Sequence, residues 1–214
     1  MNTLFPLADG GLYAITNGPR RDLLDVVAAA LAGGARLLQY LDEQPGAARR
    51  HSEAVAIQRL CHSHGVPLII HEDLDLAQAV GADGVHVACS AEGMTAARAR
   101  LGATAILGVA CQDSLENARA AAKAEASYVS FGAMFPSPTK PLAAIAPIGL
   151  LRQSAAFGVA RVAIGGITPD NASLLVDAGA DFVASISSLF GATDVRHTAQ
   201  RFAQVFPPAQ PLRT

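Results

Sequence analysis

The sequence is poor in lysine and in charge of either sign, and this limits what the protein can bind. Lys123 and Lys140 are the only lysines, 16% of the residues are charged, and the arginines are scattered rather than clustered. A protein that binds nucleic acid normally carries a basic patch or stripe. We therefore expect no nucleic-acid partner.

The sequence also lacks targeting and membrane segments and any cysteine pattern typical of a disulfide framework or a zinc site. The N-terminus lacks the basic and apolar regions of a signal peptide, and no apolar run is long enough to span a membrane. The three cysteines, Cys61, Cys89 and Cys111, are odd in number and show no CxxC spacing, which argues against a disulfide framework and against a zinc ribbon. We expect a cytoplasmic protein with free thiols and no membrane partner.

What the sequence does contain is one repeated pattern: an Ala/Leu-rich stretch, a turn of small residues, and a short β-branched run. AVGADGVHV (79–87) and DAGADFVAS (177–185) are two instances. Short buried runs that alternate with amphipathic segments are typical of βα units and a parallel sheet. The runs predict strands at Leu12–Thr16, Arg36–Leu41, Pro67–His71, Gly84–Val87, Ala105–Val109, Tyr128–Phe131, Arg161–Ile164 and Phe182–Ser185. Helices are predicted to begin near Asp22, Ala47, Leu74, Ala91, Ser114, Pro147, Pro169 and Ser188.

Eight such units predict an α/β protein of the (β/α)8 TIM-barrel class. We expect a single domain over residues 1–206 and a disordered tail over residues 207–214. The alternative is an open doubly wound sheet, which would normally place GxGxxG after its first strand. The sequence has TNGPRRD there, which favours the barrel.

The loops after strands seven and eight carry the clearest functional signal. Gly165 and Gly166 allow a tight turn and close approach to a ligand, and a small polar segment with Ser187 follows strand eight. In TIM barrels these two loops commonly form a phosphate site. The pattern predicts a bound monophosphate, although two glycines can also serve only as a turn.

A second signal follows strand six in FGAMFPSPTKP (131–141). Its three prolines stiffen the loop and carry no amide donor, so Ser137, Thr139 and Lys140 hold most of its hydrogen-bonding capacity. Two hydroxyls and one cation suit a second anionic or polar ligand group. The alternative is an exposed turn stiffened by proline. His86, which ends a buried strand, is interpreted as a core histidine.

These segments resemble the thiamine-phosphate synthase family and its relative, the thiazole tautomerase. The resemblance rests on LYAIT, GVPLII, GADGVHV, LGVACQDSL, FGAMFPSPTKP and AIGGITPDN, in order along the chain. It implies a barrel enzyme that joins a hydroxymethylpyrimidine diphosphate to a thiazole phosphate, releases diphosphate and uses Mg2+. It also implies small phosphorylated heterocycles as partners, and we expect a possible homodimer.

The resemblance further implies roles for single residues. The thiazole phosphate is expected at Gly166, Ile186 and Ser187, next to Gly165. Ser137 and Thr139 are expected along the thiazole. Catalytic roles are expected for Lys140, which would meet the diphosphate, and for Gln39, which would contact the pyrimidine; His71 could hydrogen-bond a phosphate. Glu72 and Glu92 are the candidate Mg2+ ligands, because the ion prefers carboxylate oxygens.

The sequence departs from the family pattern at the second strand, where the run LLQYLDEQ (37–44) ends in acids. Leu41 and Glu43 stand where the family has arginine and lysine. Ala91 replaces the second metal aspartate, and Gln112 or Asp113 replaces a histidine that serves the tautomerase. We therefore expect a synthase-like transferase with a degraded diphosphate and Mg2+ site. The alternatives are a phosphate-binding member without catalysis and an isomerase of the tautomerase kind.

Overall fold

The computed structural model describes residue 7 and residues 10–137 and 141–207. Its centre is a closed barrel of eight parallel strands in chain order. The strands are β1 (Gly11–Ile15), β2 (Ala35–Tyr40), β3 (Leu68–His71), β4 (Gly84–Ala88), β5 (Ile106–Gln112), β6 (Tyr128–Phe131), β7 (Ala160–Ile164) and β8 (Phe182–Ser185). The predicted TIM barrel and its eight strands are confirmed.

Helices surround the barrel. They are α1 (Leu23–Ala32), α2 (Ala47–Ser63), α3 (Leu74–Val80), α4 (Ala91–Leu101), α5 (Leu115–Lys123), α6 (Leu150–Gln153), α7 (Ala172–Asp177), α8 (Ser187–Phe190) and α9 (Val195–Ala203). Among the described residues, no helix is both long and apolar enough to cross a membrane.

Two predicted helix starts, at Pro147 and Pro169, are three residues early. After Pro169 the chain makes one more turn, in which Asn171 Oδ1 accepts from Thr168 N at 2.9 Å, and α7 begins only at Ala172. α6 begins at Leu150. The predicted end of the barrel at residue 206 and the predicted disorder of residues 207–214 stay predictions, because residues 208–214 lie outside the described residues.

The core has two layers because side chains alternate along each strand. One layer lies between the strands and the helices. The other fills the barrel interior and consists mainly of Ile, Leu, Val, Phe and Tyr side chains. Gly108 on β5 makes room there for the Tyr128 ring of β6, because a Cβ at Gly108 would lie 2.0 Å from Tyr128 Cζ. The Tyr128 hydroxyl therefore reaches the middle of the barrel.

The last helix closes the seam of the barrel. β1 pairs with β8, and α9 packs against α1 directly outside that pairing. The approach is close: a Cβ at Gly33, the residue that ends α1, would lie 2.5 Å from Ala199 Cβ on α9. A glycine at position 33 is what allows this packing.

Candidate active site

The loops after β6 and β7 pack closely against each other at the carboxyl-terminal rim of the barrel. Phe135 N donates to Gly165 O at 3.0 Å. Gly165 and Gly166 have φ of 99° and 66°, which favour glycine. A Cβ at Gly166 would lie 2.4 Å from Phe135 O, so a larger residue cannot take this position without moving the loop after β6.

The loops after β7 and β8 are joined by a side chain. Ser188 Oγ donates to Ile167 O, and it lies 2.7 Å from Ser185 Oγ. On the β7 side, Asn171 Nδ2 donates to Gly166 O at 3.1 Å, which fixes the glycine turn. The structure thus brings together the two segments that the sequence predicts as one phosphate site.

This junction has hydrogen-bond donors to offer a ligand. Within the described ranges, the backbone N–H groups of Gly166 and Ser187 donate to no other residue. Ile186 is half-buried and precedes α8, and Ser187 is exposed. Two unused amides at adjacent strand ends can hold a small anion. Phosphate binding at Gly165, Gly166, Ile186 and Ser187 stays a prediction.

The predicted residues of the loop after β6 are described only in part. Ser137 is half-buried. Thr139 and Lys140 lie outside the described residues. Their predicted contacts with the thiazole and with the diphosphate stay predictions.

A cavity of about 480 Å³ opens at the carboxyl ends of β2 and β3, and we call it the rim cavity. It is lined by Asp42, Glu43, Arg50, His71, Glu72, Asp73, Leu74, Asp75 and Arg100. It therefore contains three of the residues that the sequence singles out: Glu43, His71 and Glu72.

The rim cavity contains cations that sequence reasoning missed. Arg50 of α2 pairs with Asp73, and Arg100 of α4 lies 2.6 Å from Asp75 Oδ1. Arg50 Nε is buried and has no hydrogen-bond partner among the described residues. Arginines from two helices thus line the rim cavity together with its acids. The sequence signal for Arg50 is the pair RR (49–50) at the start of a predicted helix, and that pair does not include Arg100.

The two acids after β2 have different surroundings. Asp42 is buried and accepts a hydrogen bond from Arg49. Although burial opposes ionisation, this bond holds the pKa of the Asp42 carboxyl below its usual value. Glu43 is mostly exposed, and its Oε1 lies 3.9 Å from His71 Nε2. Of these two acids, Glu43 is the one whose exposed carboxylate a substrate phosphate would have to approach.

Leu41 occupies a fixed, apolar place at the top of the barrel. Its N–H donates to Thr16 Oγ1 at 2.8 Å, and the Thr16 hydroxyl donates to Leu41 O at 3.0 Å. Its side chain packs against the apolar cluster of the barrel interior. A cation is absent from this position, and the leucine adds to the interior core instead.

Gln39 lies below the rim cavity and is 2% exposed. Both the oxygen and the nitrogen of its amide have hydrogen-bond partners. Tyr13 Oη donates to Gln39 Oε1 at 2.6 Å, and Gln39 Nε2 lies 3.2 Å from His71 Nδ1. Tyr13 Oη lies 2.6 Å from Tyr128 Oη, which lies 3.1 Å from His86 Nδ1. His86 is thus a hydrogen-bonded interior residue, in agreement with its interpretation as a core histidine.

The two candidate metal ligands lie in different settings. Glu72 directly follows β3, has φ of 53° and lines the rim cavity, whereas Glu92 lies exposed in the first turn of α4. In the part of the chain that the structure describes, no group of three or more His, Cys, Asp and Glu side chains is placed to hold a metal. Mg2+ usually takes one or two carboxylates and completes its shell with water and substrate phosphates. Glu72 fits a shared site of that kind.

The end of β5 offers no buried acid–base group. Cys111 packs between the strands and the helices, and burial raises the pKa of its thiol to about 12. Gln112, with φ of 54°, and Asp113 are both exposed. Cys111 is therefore unsuited to serve as the proton-transfer group that the isomerase alternative needs.

The fold and this rim define a class: a TIM-barrel enzyme whose ligand site is built from the loops that follow its strands. The sequence matches the family model described as thiamine monophosphate synthase over residues 12–189. The chain belongs to this family, and the resemblance found in the sequence is confirmed.

Individual relatives agree with this assignment. Over 198 residues the chain is 50% identical to the thiamine-phosphate synthase of Chromobacterium violaceum, covering 92% of this chain and 96% of that protein. It is 47% identical over 201 residues to that of Nitrosococcus oceani, covering 92% and 93%. The structure of thiamine phosphate pyrophosphorylase from Pyrococcus furiosus superimposes with a TM-score of 0.82 at 28% identity, covering 93% of this chain and 96% of that one.

Proposed function

We propose that the protein is a thiamine-phosphate synthase. In this reaction the C–O bond of a hydroxymethylpyrimidine diphosphate breaks, and its electron pair leaves with the diphosphate. The lone pair of the thiazole nitrogen then forms the new C–N bond and the positively charged thiazolium ring. The support is family membership over most of the chain, together with the junction of the loops after β7 and β8.

The thiazole phosphate is assigned to that junction. The backbone N–H groups of Gly166 and Ser187 would donate to the phosphate oxygens, with Gly165 and Ile186 shaping the turn on either side. Ser137 and Thr139 would lie along the thiazole. Such preorganised amides bind an anion without having to lose hydrogen bonds to other protein groups first.

The pyrimidine diphosphate is assigned to the rim cavity. Gln39 and His71 would contact the pyrimidine end, and Lys140 would meet the diphosphate. Arg50 would supply a second cation from α2, which offsets the loss of the usual arginine and lysine at Leu41 and Glu43. A guanidinium suits this task because it binds phosphate oxygens through several N–H groups.

Mg2+ would be held by Glu72, with Glu92 as a further carboxylate, and by the diphosphate oxygens of the substrate. Bound there, the ion would supply positive charge that makes diphosphate a better leaving group. The protein's own groups do the rest: the amides at Gly166 and Ser187 fix the nucleophile, and Gln39 orients the pyrimidine. Homodimer formation and a cytoplasmic location stay predictions.

The test is calorimetric titration of the whole protein with thiazole phosphate and, separately, with the pyrimidine diphosphate plus Mg2+, followed by a synthase assay. Binding of both ligands with turnover is the expected result. Binding of the monophosphate alone, with no turnover, would overturn the proposal and leave a phosphate-binding member of the family.

A further inference from the structure

Five polar side chains form one hydrogen-bonded chain across the barrel interior, which we call the interior chain. It runs from His86 on β4 through Tyr128 on β6, Tyr13 on β1 and Gln39 on β2 to His71 on β3. His86, Tyr128, Tyr13 and Gln39 are buried, and His71 lines the rim cavity. The interior chain therefore connects the middle of the barrel to the rim cavity.

The first half of the interior chain has a fixed direction. The single hydrogen of the Tyr13 hydroxyl goes to Gln39 Oε1, which can only accept. Tyr128 must then donate its own hydrogen to Tyr13 Oη, so His86 Nδ1 must carry the hydrogen that completes the bond to Tyr128. Burial, and secondarily His71, lowers the pKa of His86 to about 3, so its ring is neutral and carries a single N–H.

The direction of the hydrogen bond in the second half of the interior chain follows from the same Gln39 amide. Gln39 Nε2 can only donate, so His71 Nδ1 accepts, and a neutral His71 carries its hydrogen on Nε2. That nitrogen lies 3.9 Å from the Glu43 carboxylate, which can only accept. Turning the Gln39 amide over would reverse every bond and point a ring lone pair at the carboxylate. Glu43 therefore favours the direction seen here.

We propose that Tyr13, Tyr128 and His86 are positioning residues that lock the amide of Gln39 and thereby keep the Nε2–H of His71 directed at the rim cavity. That N–H donates a hydrogen bond to an acceptor atom of the pyrimidine diphosphate. The identity of this ligand rests on the proposed function, whereas the order of hydrogen bonds does not. Glu43 thus has an effect that the cation it replaces would not have, because a carboxylate near Nε2 favours an N–H there, whereas an ammonium would oppose it.

The first test is independent of activity. Long-range 1H–15N correlation spectra of the whole protein with labelled histidine, recorded near pH 8 where imidazoles are neutral, report which ring nitrogen carries hydrogen. The expected result is hydrogen on Nε2 of His71 and on Nδ1 of His86. The opposite pair, or rings that average between both forms, would overturn the proposal.

The second test moves a residue that does not touch His86. In Tyr13→Phe, the Tyr128 hydroxyl loses its acceptor and is free to donate to His86 Nδ1, so the hydrogen of His86 should move to Nε2. Tyr40→Phe is the matched control, because Tyr40 is a buried tyrosine of β2 that donates to Glu53 outside the interior. An unchanged His86 signal in Tyr13→Phe would contradict the interior chain.

Kinetics separate this inference from the proposed function. In Tyr13→Phe, loss of one well-formed hydrogen bond should raise KM for the pyrimidine diphosphate by about five- to tenfold and leave KM for thiazole phosphate unchanged. A parallel rise in both values would overturn the positioning role. If the unaltered protein shows no turnover, the proposed function fails, while the spectra still decide the interior chain.

Discussion

Arg50 brings a positive charge to the rim cavity. It comes from α2 and pairs with Asp73, and its buried Nε has no partner among the described residues. A ligand with phosphate oxygens would give this guanidinium the acceptors it lacks. Arg50 on α2 therefore partly compensates for the arginine and lysine that are missing at Leu41 and Glu43.

We expect Arg50→Gln to raise KM for the pyrimidine diphosphate by about ten- to one-hundredfold, because a charge-assisted hydrogen bond contributes roughly 1.5 to 3 kcal/mol. KM for thiazole phosphate should not change. Steady-state kinetics with each substrate varied in turn measure both values.

Arg59→Gln is the control for this prediction, since Arg59 lies exposed on the same helix and does not line the rim cavity. Equal effects of the two substitutions would show that Arg50 acts through the overall charge of the protein. No effect of Arg50→Gln would remove it from the site.

At the scale of elements, the site depends on hydrogen bonds between neighbouring loops. Ser188 joins the loop after β8 to the loop after β7 through Ile167 O, and Phe135 joins the loop after β6 to Gly165. Three successive loops therefore hold one another in place. We expect the loss of one of these hydrogen bonds to weaken binding of the monophosphate more than binding in the rim cavity.

Ser188→Ala tests this coupling. The substitution removes the donor to Ile167 O and the bond between the Ser188 and Ser185 hydroxyls. KM for thiazole phosphate should therefore rise at least about fivefold, the effect expected for one neutral hydrogen bond, with little change for the pyrimidine diphosphate. Ser52→Ala, which removes an exposed bond to Ala48 O on α2, is the control. Identical kinetics for Ser188→Ala and the parent would mean that the loops hold their positions without this bond.

The end of β2 can be tested by restoring the family's usual residues. The double variant Leu41→Arg, Glu43→Lys should bind the pyrimidine diphosphate at least tenfold more tightly, because each added cation can form a charge-assisted contact of roughly 1.5 to 3 kcal/mol. Calorimetric titration measures the change.

Leu174→Arg, Asp177→Lys on α7 makes the same change in net charge on exposed positions and serves as the control. If the β2 variant gains no more affinity than the α7 variant, these two positions do not face the diphosphate.

The sequence predicted the elements well because each strand carries its own local signal, a buried run after a turn of small residues. β5 is the exception, since it continues past the predicted Val109 to Gln112 through an irregularity in its pairing with β6 that no local pattern announces. The glycine turn and the serines after β8 were predictable by position. Arg50 and the interior chain were not, since helix packing and the register of five strands bring those residues together.

At the scale of the whole molecule, the buried thiols make the free energy of unfolding depend on pH in the alkaline range. Cys61 and Cys111 are completely buried, and burial raises the pKa of each thiol to about 12. In the unfolded chain a thiol ionises near pH 8.5. The folded state therefore keeps two protons that the unfolded state releases.

The free energy of unfolding should be unaffected by these thiols below about pH 8.5 and should fall above it, by about 1.4 kcal/mol per pH unit for each thiol, until about pH 12. Denaturant titrations from pH 8 to 10.5 measure this slope. The double variant Cys61→Ala, Cys111→Ala should have a distinctly smaller slope than the parent, whereas Cys89→Ala, which alters a partly exposed thiol, should change it less. Equal slopes for the parent and the double variant would contradict the prediction.

The packing of α9 against α1 has a consequence for how the protein is made. β1 and β8 are neighbours, and the contact between Gly33 and Ala199 that covers their seam involves α9, which follows β8 in the chain. Synthesis proceeds from the N-terminus, so the ribosome must complete β8 before β1 can pair with it and close the barrel. Until then the nascent chain exposes two unpaired sheet edges, one at β1 and one at the strand made most recently. We expect the nascent chain to depend on chaperones during that interval.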